Sequence, residues 1–558
     1  MRVLPAVSLL LAAPLLAQQQ PALPILGETI EVSIVSLDVI VTDRQGNRVR
    51  GLKPSDFEVR ENGKLQTITN FAEYTVDGPP VSVGAPVSSA ARPPAEDSRP
   101  PQNPRTMVLF VERVQLLPPD ADRLFASMEE TVRSVVRPGD AVAIVTWDRA
   151  MKVVRDFTDD VEALSSTIRE LREVSKRVML PDAESIQRRQ EEQDRLAVLY
   201  AGSGVGPPDQ MLTDSIMLAR RALSRMRFKV HSLKSLINLM APAQGKKVLL
   251  MATRRFSEFA GAEFFPGGQV PQDHRIELST SEIRKSVQDA ANAAGVTVYA
   301  VYPPGLRTGS AFSAEFAPDI STMNNPDRDL ESNAFDYNVL ANEAVALDEI
   351  ARATGGLSAW GAGSITVLMP KVIEDMSTYY SLAFRASPGK KKEHRITVRT
   401  IDRQYQVRSR SAYVEKSESD RMADRVVAAL FRPELQNTLA VHAELGEPAV
   451  KRGRVSIKLK VRIPIGNLTV LPDGRHHAGA FTVFAAAGGR VGVVSDVIRK
   501  TQAFQIPSSD LGRARASHYS YELTVMTDGA AEHVSVGVLD EVSKQYGIVR
   551  LPLGHPER

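Results

Sequence analysis

The chain has 558 residues, 43% hydrophobic and 24% charged, enough to bury several cores and unlike a disordered or membrane-embedded composition. A formal charge of +3 is near balance for this length and gives no reason to expect nucleic acid as a partner. There is no cysteine, which excludes thiol catalysis, disulfides, zinc–thiolate sites and lipid attachment through an N-terminal cysteine.

The first 17 residues, MRVLPAVSLLLAAPLLA, have the form of a signal peptide: a single Arg2, an apolar stretch from Val3 to Leu16, and a small Ala17 for cleavage. No later stretch approaches the roughly 20 apolar residues of a membrane-spanning helix, so no membrane span is expected. An exported chain without disulfides is expected in the periplasm or outside a bacterial cell.

Residues 28–75 alternate apolar and polar positions as strands do, and ENGK (61–64) places Asn-Gly at the centre of a hairpin turn. This predicts a small β unit. Pro79, Pro80, Pro86, Pro93 and Pro94 then mark a linker over 76–104.

From residue 105 helical and strand periods alternate, as in a doubly wound, mostly parallel α/β sheet. MVLFV (107–111) is an apolar run closed by an acid, Glu112. A helix follows with Leu124, Phe125, Met128, Val132 and Val135 on one face. AVAIVTW (141–147) and MKVVRDF (151–157) read as a strand pair. A second helix carries Val161, Leu164, Ile168, Leu171 and Val174, entered through DFTDD (156–160), whose acids suit a helix N-terminus better than calcium. KKVLLMA (246–252) is a buried strand, Ile283–Ala294 a helix, VTVYAVY (296–302) a strand, and Asn338–Ala353 a helix stopped by Gly355-Gly356. Leu357–Trp360 is a short strand and Ile365–Met376 a further helix.

Two insertions are expected in this plan. Residues 176–243 hold a charge run (185–195), a Gly/Pro break (202–208) and a long helix with Met217, Leu218, Leu223, Met226 and Leu233. Residues 303–336 read as an irregular loop. Strands return over 378–414, and are expected to complete the small β domain, since neither piece alone has enough strands for a core. A linker with a short helix spans 415–434, and many short strands with turns at PDGR, AGGR and DGAA predict a β-sandwich over 435–555.

The element order, with Glu112 ending the first strand, resembles a von Willebrand factor A-type domain. VTDRQGNRVRGLKPSDFEVRENGKLQTI, RPGDAVAIVTWDRAMKVVRDFTDD and LDEIARATGGLSAW with VIEDMSTYYSLAF look like parts of an A-related family of exported bacterial proteins, spread over residues 28–414. The resemblance implies an α/β von Willebrand factor A-like fold and a binding role, and no substrate. Metal-binding members of the wider group carry Asp-x-Ser-x-Ser after the first strand, a Thr from a later loop, and an Asp after the fourth strand. Those oxygens suit the six hard ligands of Mg²⁺. Here the first motif is Glu112-Arg113-Val114-Gln115-Leu116, and Thr253 or Arg254 stands where the Asp is expected. Neither cofactor nor metal is therefore expected, and the motif is read as a degenerate metal-ion-dependent adhesion site (MIDAS).

Because the first and fourth strands of such a sheet are neighbours, the guanidinium of Arg254 or Arg255 could meet Glu112 and supply the missing positive charge, the alternative being solvated charges that never touch. Glu112, Gln115, Trp147, Asp148, Arg149, Thr253, Arg254 and Arg255 form the expected binding rim. No HExxH, Gly-x-Ser-x-Gly, Walker or dinucleotide fingerprint occurs, and His476-His477 follows a turn without carboxylate company. Lys390–Lys392 with Arg395 and Arg399 make a basic hairpin, by default a solvated turn. The sequence thus predicts a non-enzymatic, exported protein-binding or scaffolding protein of unknown partner. The alternatives are divalent-dependent adhesion through an unorthodox ligand set, a hydrolase using carboxylates such as Glu112 and Asp148, and an envelope protein in which the A-type domain only spaces its neighbours.

Overall fold

The computed structural model describes residues 34–75, 78–82, 105–113, 116, 118–148, 150–177, 209–254, 256–303, 326–360, 364–386, 393–431, 436–451, 454–489, 494–527 and 531–553. The signal-peptide stretch, most of the Pro-rich linker, the 185–195 charge run, the 202–208 break and Lys390–Lys392 lie outside them.

Five strands form the small β unit's N-terminal part: β1 (Ile34–Thr42), β2 (Phe57–Glu61), β3 (Lys64–Gln66), β4 (Ile68–Thr75) and β5 (Gly78–Ser82). The central sheet follows, with β6 (Thr106–Glu112), β7 (Ala141–Trp147), β8 (Met151–Thr158), β9 (Lys247–Ala252), β10 (Val296–Val301) and β11 (Ser358–Ala359) in the order β11-β10-β9-β6-β7-β8. All neighbours are parallel except the β7–β8 hairpin. The apolar run at 107–111 is explained by burial on both faces. Met107, Leu109 and Val111 face α1 (Pro118–Val135), α2 (Val161–Arg177) and α6 (Ser364–Ser377). Val108 and Phe110 face α3 (Asp209–Met240), α4 (Ser281–Ala294) and α5 (Pro326–Ala353). On α1 the whole stripe Leu124, Phe125, Met128, Val132 and Val135 is buried. Asp160 caps α2, its Oδ1 accepting from the amides of Glu162 and Ala163 at 3.0 Å each.

Two boundaries differ from expectation. α5 starts at Pro326 rather than Asn338, since proline suits the first turn of a helix; residues 304–325 of the expected loop lie outside the described residues. The long helix α3 belongs only in part to an insertion. Its C-terminal half, Met226 to Met240, covers the sheet, while its N-terminal half packs on Ala262, Phe264 and Phe265, which leaves Met217 exposed.

Strands from both ends of the A-type segment build the small β unit: β12 (Tyr379–Arg385), β13 (Glu393–Thr400), β14 (Gln406–Arg408) and β15 (Ala412–Val414). Within the returning segment, residues 405–414 carry two short strands with a break at Ser409–Ser411. One sheet runs β14-β1-β12-β4-β5 and the other β15-β13-β2-β3. The ENGK turn has Asn62 at φ 49° and Gly63 at φ 85°, as a two-residue hairpin turn requires. The unit is tied to the sheet's N-terminal end by Asp375 of α6, which is fully buried. Its carboxylate pairs with Arg48 and, at 2.6 Å, with Arg408, and accepts the Tyr299 hydroxyl at 2.5 Å.

The stretch expected as a linker at 415–434 carries α7 (Glu418–Ala429). Its Met422, Ala423, Val426 and Val427 are buried in the same cluster as α3 and the following domain, because one face of the helix is apolar throughout. That domain has β16 (His442–Leu445), β17 (Ala449–Lys451), β18 (Arg454–Pro464), β19 (Leu471–Asp473), β20 (His476–Gly488), β21 (Ile498–Pro507), β22 (His518–Thr527), β23 (His533–Asp540) and β24 (Tyr546–Pro552). β16, β17, β18 and β22 form one sheet; β19, β20, β21, β23 and β24 form the other. Ile457, Leu459, Val461, Phe481, Val483, Val525, Val536 and Val538 share the core between them. No described helix is long and apolar enough to cross a membrane.

Candidate functional site

In a parallel sheet of this kind the strand C-termini converge on one rim, where ligands bind. β6 brings Glu112 there, in register with Trp147 of β7. β9 ends one residue short of Thr253, whose amide is held by the Val301 carbonyl at 3.1 Å. α3 crosses above and delivers a residue the sequence reading did not select, Lys229.

The three groups form a closed cluster. The Lys229 ammonium donates to Glu112 Oε2 at 3.0 Å, to Thr253 Oγ1 at 3.3 Å and to the Arg254 carbonyl at 2.8 Å, which uses all three of its protons. The same Oε2 accepts the Thr253 hydroxyl at 2.5 Å and the Arg254 amide at 2.9 Å. The Lys229 and Glu112 side chains are only 5% and 7% exposed. Phe256 closes one side, its ring 5.7 Å from the ammonium. A buried ion pair so placed is tolerable because all three ammonium protons and the carboxylate Oε2 are hydrogen-bonded.

For Arg254 this corrects the expected pairing with Glu112. Its cation is a lysine, and Arg254 contributes backbone atoms while its guanidinium lies over the Tyr302 ring at 5.8 Å. The geometry follows from chain direction: β9 points Thr253 and the Arg254 amide along the rim, so the Arg254 side chain leaves toward β10. Gln115, Arg149 and Arg255 lie outside the described residues.

Around the cluster, Arg113 and Asp148 pair at 2.9 Å. Burial pushes the Asp148 carboxyl above its usual range, opposed by Arg113 and Lys152. Trp147 is buried against Phe228, ring centroids 5.6 Å apart, and Phe228 itself is 44% exposed. Trp360, just past β11, is half exposed. His476 and His477 open β20 rather than a loop, and His477 Nδ1 lies 3.3 Å from Ser508 Oγ.

The donors at this rim do not match a Mg²⁺ site. The carboxylate oxygen is committed to an ammonium, a hydroxyl and an amide, and Leu116, at the second motif serine, is buried and apolar. Among the described residues no three His, Cys, Asp or Glu side chains converge to hold a metal.

Sequence signals for Lys229 existed. It lies three residues after Met226 and four before Leu233, on the apolar stripe of α3, where a lone cation demands a buried partner.

Strand order, the antiparallel third strand and an acid closing the first strand agree with the A-type fold that the sequence resembles. Solved structures similar to the chain include three bacterial proteins. An aerotolerance-related membrane protein from Bacteroides fragilis is 12% identical, with 49% of this chain and 98% of that one covered and a TM-score of 0.22. The conserved hypothetical protein BatB from Bacteroides thetaiotaomicron is 9% identical, with 49% and 97% covered and a TM-score of 0.21. The von Willebrand factor domain of the type V pili tip protein Mfa5 from Porphyromonas gingivalis is 20% identical over 12% of this chain and 26% of that one, with a TM-score of 0.10. No family model and no curated protein matches the chain.

Proposed function

We propose that the chain is an exported, non-enzymatic protein-binding or scaffolding protein of a bacterial envelope or exterior, whose A-type rim works without a divalent ion. The observation that carries this reading is the Lys229 ammonium bound to Glu112, Thr253 and the Arg254 carbonyl. It supplies, from within the chain, the positive charge that a metal brings to a rim of this architecture. A partner would meet the half-exposed Phe228 beside the buried Trp147 and the Arg113–Asp148 pair, with the half-exposed Trp360 at the far edge of the same sheet, a combination suited to protein contacts.

A hydrolase reading finds less support. It needs a raised carboxyl inside a concave pocket. Asp148 has the raised carboxyl, but a cleft of about 530 Å³ among the described residues lies at the opposite end of the sheet, lined by Asp38, Asn292 and Arg410 and by neither Asp148 nor Glu112.

The test is calorimetric titration of Mg²⁺, Mn²⁺ and Ca²⁺ into the chelator-stripped full chain, with elemental analysis of untreated protein. Silence in both is expected. Stoichiometric heat that disappears in Glu112→Ala would replace this reading with divalent-dependent adhesion.

A further inference from the structure

Among the described residues, the C-terminal sandwich leaves one long strand edge unpaired. β22, HYSYELTVMT, pairs over ten residues with β18 without a bulge, and its other main packing is across the core against β20. Edge strands are normally blunted by lysine, proline, a bulge or an inward-pointing charge. β22 has none of these; its single charge, Glu522, points outward. The opposite sheet is closed on its outer face by α7, whose Met422 and Val426 reach Gly537 of β23, so the open edge is on the side away from that cover.

Its side chains are also left half finished. Tyr519, Tyr521 and Leu523 face inward yet are only partly buried, with Tyr519 packed on Phe481 at 5.0 Å and on Phe504 at 5.9 Å. An added strand would cover them and satisfy the free edge of the backbone.

We propose that the occupant is the β22 strand of a second copy, paired antiparallel about a two-fold axis at Leu523. Register selects this centre. Side chains alternate with period two, so both cores stay on one side of the joined sheet only if odd positions face odd positions. Centring on Glu522 sets two glutamates against each other. Centring on Leu523 aligns nine residues, placing Tyr521 opposite Val525, Tyr519 opposite Thr527 and Glu522 opposite Thr524, with no like charges opposed. Centres at Tyr521 or Thr524 keep the parity but align only seven. The inference concerns the sandwich and does not depend on how the A-type rim works.

The test is sedimentation equilibrium of the full chain from low to high micromolar concentration, with two exposed substitutions at Thr524. In the dimer residue 524 faces Glu522 of the other copy; within its own chain it faces Lys458 of β18. Thr524→Glu therefore suits the monomer and opposes the dimer, and Thr524→Lys does the reverse, so folding and pairing effects have opposite signs. Two such pairs per dimer should weaken or tighten association by about two- to thirtyfold. The chain has no native cysteine, so Leu523→Cys should form a disulfide dimer on oxidation, whereas Tyr521→Cys, opposite Val525, should not. A wild-type monomer at every concentration, with Leu523→Cys uncrosslinked, overturns the proposal and leaves the edge to another protein's strand. A dimer indifferent to both Thr524 variants also overturns it, placing self-association elsewhere.

Discussion

Lys229 and Glu112, 117 positions apart in the chain, form a buried ion pair of 3.0 Å in which one carboxylate oxygen also binds the Thr253 hydroxyl and the Arg254 amide. The pair joins α3 to the ends of β6 and β9, so the helix that covers the rim is fastened by charge at the C-terminal end of the parallel strands.

Removing one partner should therefore cost more than removing both. Glu112→Gln leaves a buried ammonium without its counter-charge, an expected loss of about 3–5 kcal/mol and a melting temperature lower by on the order of 10 °C. Glu112→Leu combined with Lys229→Met should recover most of that loss, since an apolar pair has no charge to desolvate. Scanning calorimetry of these two variants beside the wild type decides it. Equal losses in single and double variants would mean that packing, not charge, holds the rim.

The helix stripes, the buried strands and the acid at position 112 were legible because each rests on local periodicity. The partner of Glu112 was not, because choosing between Lys229 and Arg254 depends on where a distant helix crosses and on which way β9 points a side chain. The short helix expected at 415–434 is present as α7, but its burial was not legible for a similar reason. Its apolar face is clear, but only the packed structure shows that α3 on one side and the sandwich on the other bury it. The start of α5 at Pro326 was hidden by the Asn, Asp and Ser around it, which read equally well as loop.

Asp148 gives a pH signature at the same rim. Burial raises its carboxyl, with Arg113 and Lys152 in opposition. A folded pKa above the unfolded value means the charged form is disfavoured by folding. Its favourable contribution is full below the ordinary carboxylate range and is lost as pH rises through the folded value. Asp148→Asn should thus raise the melting temperature at neutral pH, with the gain vanishing in acid. A variant melting lower than wild type at neutral pH would show that the Arg113 pair outweighs burial.

Asp375 should behave in the opposite way. Burial alone would raise its carboxyl, but Arg408, Arg48 and Lys246 together hold it below the usual value. Its contribution is full above the unfolded carboxylate pKa and is lost as pH falls through the depressed folded value. Asp375→Asn leaves Arg48 and Arg408 facing a neutral amide, an expected loss of about 3–5 kcal/mol at neutral pH that narrows in acid. Because the pair joins the small β unit to the sheet, proteolysis between the two should accelerate. An unchanged melting curve would mean that the strand pairing alone holds them.

The helix stop at Gly355-Gly356 carries a sharper prediction than its sequence suggests. Gly355 has φ +83°, the left-handed conformation usual after a helix, and a Cβ there would lie 2.8 Å from the Arg410 amide. Gly356 has no such backbone requirement, yet a Cβ would sit 1.9 Å from the Val298 carbonyl oxygen of β10. Backbone cannot yield as a flexible side chain can, so Gly356→Ala should push α5 and β11 away from β10. The expected cost is about 1–3 kcal/mol or more. Gly139, in the turn before β7, is the control: φ is +89° but nothing lies within 4 Å of its Cβ. Gly139→Ala should cost only backbone strain, about 1–2 kcal/mol. Hydrogen exchange separates the two: Gly356→Ala should expose the amides of β10 and β11, whereas Gly139→Ala should leave them protected. Equal protection in both variants would show that β10 accommodates the methyl group and that the tight approach is not what fixes this residue as glycine.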